Sequence, residues 1–126
     1  MLTLIFVFLA AVCNAVMDVI TYRFDTSIFS KIVRLKWFID PKVSWRNKYK
    51  NEDPNQGPNF PFSTTILCAI TDLWHLTKNI MLVLLYVGIT CYIPIINPVL
   101  DVILYYIVFG VTFEICWSRL FIIKKK

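Results

Sequence analysis

The chain is expected to be an all-α integral membrane protein with three transmembrane helices, N-terminus outside and C-terminus inside, plus one amphipathic interfacial helix. Three observations predict this. Apolar stretches at residues 2–20, 78–93 and 99–121 come close to the roughly 20 residues that a hydrocarbon layer about 30 Å thick requires. Hydrophobic residues make up 58% of the chain, whereas soluble domains hold about 45–50%, and 126 residues cannot build a soluble core that hides so many apolar side chains. Eight of the thirteen Lys and Arg lie between Arg23 and Lys50, and four more at Arg119 and residues 124–126, the bias that places a loop and tail in the cytoplasm.

The elements follow in order within a single membrane domain. The first helix covers about residues 2–22, with Arg23 at its cytoplasmic end. This stretch lacks a basic n-region and a small-x-small cleavage site, and it carries Asn14 and Asp18 late in the run, so it is expected to be a retained helix and not a signal peptide. In the cytoplasmic loop, residues 23–62, Asp25, Thr26 and Ser27 offer cap chemistry for a short helix. Phe29, Ile32, Val33 and Trp37 recur there at helical spacing with Lys31 and Arg34 opposite, which predicts an amphipathic helix lying in the interface. Asp40-Pro41 ends it. Residues 51–61, rich in proline, read as an irregular loop. A long helix is expected from Ser63 and Thr64 to about residue 92, its first turns projecting beyond the bilayer. Pro94 and Pro98 bound a tight outer turn, with Asp101 beside it and solvated. The last helix covers about residues 99–121, and a basic tail closes the chain at residues 122–126.

Several classes are set aside. The net charge of +5 is concentrated where headgroups would meet it, so lipid and not nucleic acid is the expected partner. Cys13, Cys68, Cys91 and Cys116 show no CxxC spacing and read as small buried hydrophobes. Gly-rich phosphate cradles, GxSxG, HExxH and Ser-His-Asp arrangements are absent from the sequence, and one histidine excludes multi-histidine di-iron chemistry.

The candidate chemistry lies in the polar residues of the spans. Cys68, Asp72, His75 and Asn79 form one helical stripe, Asn14 and Asp18 another. Asp18, Asp72, His75 and Glu114 are predicted at similar depth near the cytoplasmic leaflet, where ionisable groups are costly unless they find partners. They are the expected metal ligands, for a divalent zinc, iron or manganese ion, with Asp72, His75 and Asp18 as the candidate catalytic groups. The ordinary structural reading stands beside this: Asp72 pairs with Lys78 or Arg23, Glu114 with Arg119, Asp18 with Arg23. Polar pore lining is a third reading. In the run 44–50, alternating basic and aromatic residues make Trp45, Arg46, Lys48 and Lys50 candidate ligands for a lipid headgroup or other anion, or an aromatic belt with snorkelling cations.

The segments Asn-Ala-Val-Met-Asp18, Ser-Ile-Phe-Ser30, Ser-Trp-Arg-Asn-Lys-Tyr-Lys50, Phe-Ser-Thr-Thr65 and Thr-Asp-Leu-Trp-His75 resemble small uncharacterised integral membrane proteins of Bacteroidetes and their phages. The resemblance covers about the first two thirds of the chain. It implies a bacterial inner-membrane protein and no mechanism. The expected function is a polar cytoplasmic-leaflet site that binds or acts on a lipid or other anionic membrane ligand. An oligomeric pore-former of holin-like topology and a non-catalytic subunit or adaptor are the alternatives. A homo-oligomer or a larger membrane complex is expected in each case.

Overall fold

The structure is a computed structural model describing residues 1–123. It is helical, with no named strand among the described residues. Three helices are long and apolar enough to cross a membrane: α1 (Leu2–Tyr22), α4 (Leu73–Thr90), and α5 (Pro98–Ile115), which runs on through a π-helical turn at Cys116–Leu120. Two four-residue helices, α2 (Lys36–Ile39) and α3 (Pro41–Ser44), lie in the long connection between α1 and α4.

The spanning helices form a row with α1 in the middle. α4 and α5 both pack on α1 and scarcely on each other, so 39% of the most apolar 18 residues of α1 are buried, against 11% of those of α4 and 17% of those of α5 with its π-helical turn. Small side chains make the central position possible. Ala10, Ala11 and Ala15 are fully buried on α1 and let neighbouring backbones come close. The buried residues of α4 are Thr77 and Gly88, and those of α5 are Asp101 and Thr112. Each pair is eleven residues, or about three turns, apart and marks a single face. Elsewhere α4 and α5 expose large apolar residues such as Val83, Tyr86, Ile103 and Ile107, as helices facing lipid do.

At one end of the row, the hairpin end, Asp101 organises the turn between α4 and α5. It is fully buried and not solvated as expected, because its carboxylate accepts from the Tyr92 hydroxyl at 3.0 Å and the Ile95 and Ile96 amides at 2.8 and 3.1 Å. Asn97 caps α5 by accepting from the Val99 and Leu100 amides, with Pro98 at the first helical position, where a missing N–H costs nothing.

At the opposite end, the loop end, residues 23–72 fold over the bundle. Ile20, Phe24 and Ile39 form its core, with Phe29, Phe38, Leu73 and Trp74 against them. The single interfacial helix expected here is replaced by 3-10 turns at Phe24–Thr26, Ile28–Lys31 and Val33–Leu35, followed by α2 and α3. Local competition explains the break. Ser27 and Ser30 hydroxyls donate to the Phe24 and Ser27 carbonyls, a known rival to the helical ladder. The Ile28 amide donates to Phe121 O and the Ile123 amide to Thr26 O, so this backbone pairs with the chain leaving α5. The second span likewise starts later than expected: Ile66–Ile70 is a 3-10 turn, and α4 begins only after Asp72. Its 18 residues extend about 27 Å, close to the hydrocarbon thickness.

Candidate functional site

Among the described residues, an aspartate and the histidine pair where α4 begins. Asp72 is the N-cap of α4. One carboxylate oxygen accepts from the His75 amide at 2.9 Å, and the other lies 2.7 Å from His75 Nδ1. A capping aspartate three residues before a histidine thus serves two ends at once: it satisfies an orphan donor of the first turn and fixes the imidazole. Because an ionised carboxylate can only accept, Nδ1–H is the donor in this contact, and Nε2 is left as the ring nitrogen without a partner in the fold. The Asp72 side chain is 4% exposed and that of His75 25%, so the carboxylate is enclosed and the imidazole edge is open.

The surroundings hold this pair in place. The Thr71 hydroxyl lies 3.2 Å from the same Asp72 oxygen and 2.7 Å from Cys68 O. The Trp74 ring meets the imidazole edge-on at 5.1 Å, and the Lys78 ammonium lies 4.9 Å over the Trp74 ring, an attraction between the cation and the ring face. Asn79, the next member of the predicted stripe, donates to His75 O.

The aromatic and basic loop is docked onto this end through a residue the sequence reading passed over. The Asn47 amide donates to Trp37 O and to Thr71 O, both at 2.8 Å. It thereby ties the start of α4 to α2. Ser63, fully buried, donates to Lys48 O at 2.7 Å, and Asn59 donates to Asn47 O. An asparagine inside a run of cations and aromatics was the available signal, since its uncharged amide carries two donors that can bridge two carbonyls. The predicted ligands themselves are engaged locally. The Arg46 guanidinium lies over Trp45 and the Lys48 ammonium over Tyr49, at 5.3 and 5.4 Å, while Lys50 is exposed and its amide donates to Gly57 O.

Asp72 and His75 are brought together; Asp18 and Glu114 are not joined to them. Among the described residues no group of three or more His, Cys, Asp or Glu could hold a metal ion. Asp18 lies half-buried on α1, and Glu114 is exposed on α5. The ion pairs expected for Arg23 are also absent among the described residues: its guanidinium donates to Trp117 O at 3.3 Å and lies over the Trp117 ring, joining the loop ends of α1 and α5.

No known protein family, curated protein or solved structure matches this chain.

The chemistry open to the site therefore follows from its atoms. A carboxylate-oriented imidazole with a free Nε2 can accept a proton, or as imidazolium donate a hydrogen bond to an anion.

Proposed function

We propose that this chain is a bacterial inner-membrane protein, with its loop end and C-terminus cytoplasmic, that binds an anionic lipid headgroup at the first turn of α4 through His75 Nε2. The observation that carries this is the 2.7 Å contact between the enclosed Asp72 carboxylate and His75 Nδ1, which orients the ring and leaves Nε2 free for a ligand. Two features support it. Lys78 stands one turn along α4, and eight of the thirteen basic residues lie in the segment folded over this end, each worth roughly 1 kcal/mol toward an anionic surface. The orientation rests on that same bias. In this reading Asp72 orients the ring through its Nδ1–H, and in the imidazolium form Nε2–H donates to the headgroup phosphate.

Because His75 is the chain's one histidine, its ring nitrogens give an unambiguous 15N signature. In nanodiscs of zwitterionic lipid the Nδ1–H tautomer should dominate, and adding phosphatidylglycerol should shift the Nε2 resonance. Asp72→Ala should mix the tautomers and blunt that response. Identical spectra in zwitterionic and anionic discs would refute the proposal.

A further inference from the structure

The segment Ile28–Trp37 is fastened at both ends to the outer members of the row. At its start the Ile28 amide donates to Phe121 O at 2.9 Å, and the Phe29 and Phe121 rings lie 5.5 Å apart, where the chain leaves α5. At its far end Asn47 joins Trp37 O to Thr71 O, beside the start of α4. Ten residues in 3-10 turns reach about 20 Å, and two interhelical spacings of about 8–10 Å lie between α5 and α4. The segment is therefore a strap that crosses the loop end of the row from one outer helix to the other, along the membrane plane and not away from it.

The two sides of the strap differ. Phe29, Phe38 and Ile39 belong to the core around Ile20 and Phe24. Ile32, Val33, Leu35 and Trp37 are instead 41%, 77%, 46% and 56% exposed. Lys31, Arg34 and Lys36 are exposed among them. Lys36 lies 3.8 Å from Asp40, and Lys31 and Arg34 form no ion pair among the described residues. Four large apolar side chains within six residues exceed the scattered apolarity of an ordinary surface and mark a contact with a partner or a membrane. The cations decide between these. Lysine is depleted from protein interfaces, whereas apolar and aromatic side chains interleaved with Lys and Arg suit the boundary between acyl chains and anionic headgroups.

We infer that the strap Ile28–Trp37 lies in the leaflet at the loop end, with Ile32, Val33, Leu35 and Trp37 among the upper acyl carbons and Lys31 and Arg34 on the headgroup phosphates. A continuous helix is not needed for this. The 3-10 turns satisfy their backbone groups through Ser27, Ser30 and the pairing with Phe121, and still bring apolar and basic side chains to the boundary. The inference rests on the three spans and is independent of headgroup binding at His75.

The test is paramagnetic broadening of the full chain in nanodiscs containing phosphatidylglycerol, read at the Val33 and Leu35 methyls and the Trp37 indole N–H. A lipid with its nitroxide on the fifth acyl carbon should broaden these signals about threefold more than a soluble gadolinium chelate does. The exposed Ile103 of α5 and Asn55 of the loop calibrate the two probes. Lys31→Gln combined with Arg34→Gln should lower the broadening by the lipid probe. Val33→Asn combined with Leu35→Asn should release Trp37 to the chelate, with the Ile103 signal unchanged because the spans are retained. Wild-type signals broadened chiefly by the chelate would put the strap in water and overturn the inference. Protection from both probes would mean that a protein surface, a second copy included, covers the strap, and would overturn it equally.

Discussion

Gly88→Leu should separate α1 from α4, and the structure sets the size of the effect. A Cβ on Gly88 would stand 3.3 Å from Phe6 Cβ and 3.8 Å from Thr3 Cγ2. The nearer atom sits next to the backbone and cannot rotate away, so the helices themselves must part. Replacing glycine within a helix gains about 0.8–1 kcal/mol, and overpacking costs about 1–3 kcal/mol. Parting the helices also breaks the Thr3 hydroxyl's contacts to Gly88 O and Cys91 O, already long at 3.3 and 3.4 Å, for about another 1 kcal/mol. The net expectation is a loss of about 1–3 kcal/mol. Gly88→Ala, with a single methyl and the same helix gain, should come out near neutral. The assay is unfolding by SDS in mixed micelles, followed by energy transfer between dyes at the hairpin end of α1 and in the turn at residues 93–96. If Gly88→Leu unfolds at the same or a higher SDS fraction than wild type, the reasoning from close packing is wrong.

Further expectations concern the polar anchors. Asn47→Ala removes both bonds that dock the loop on Trp37 O and Thr71 O; it should cost about 1–3 kcal/mol and speed proteolysis within residues 45–62, with Asn47→Asp worse because a carboxylate would face two carbonyls. Asp101→Ala should free the Ile95 and Ile96 amides, so their hydrogen exchange should accelerate strongly while amides in the middle of α5 stay protected; unchanged exchange at Ile95 and Ile96 would contradict the assigned role. Asp53 has its carboxyl held below its ordinary value of 3.8, first by the Asn55 amide and then by Gln56. A depressed folded value means that its support of the turn Pro54–Gln56 is present above the ordinary value and lost as pH falls through the folded one. Exchange at the Asn55 amide should therefore rise only in strong acid, and Asp53→Asn should remove that pH dependence.

The three spans were legible because length and apolarity alone set them: no arrangement of 21 residues such as Leu2–Tyr22 needs a tertiary partner to be recognised as bilayer-long. The Asp72–His75 contact was legible for a similar reason, since a spacing of three within a helix settles proximity locally. The loop was not. Phe29, Ile32, Val33 and Trp37 do recur at helical spacing, yet hydroxyls at Ser27 and Ser30 and a backbone bridge to Phe121 take the groups that a helix needs. Periodicity records which face is apolar and is silent about where the N–H groups go. Asp101 shows the same limit from the other side. A carboxylate next to a turn reads as solvated, and only the path of residues 92–97 reveals three donors converging on it.

Depth and convergence are separate quantities, and the polar residues of this fold divide between them. Asp18, Glu114 and the Asp72–His75 pair all belong to the loop-end half of their helices, as charge bias and helix length require. Rotation about each helix axis then separates them: Asp72 and His75 meet at the junction of α4 with the folded loop, while Asp18 stays half-buried on α1 and Glu114 exposed on α5. The Asp72 carboxylate is satisfied internally, as cap and ring partner, while the His75 side chain stays partly exposed. Asp18 and Glu114 have no such ion-pair partner among the described residues, which is why the Asp72–His75 pair, and not the wider set of acidic residues, is read as the ligand site.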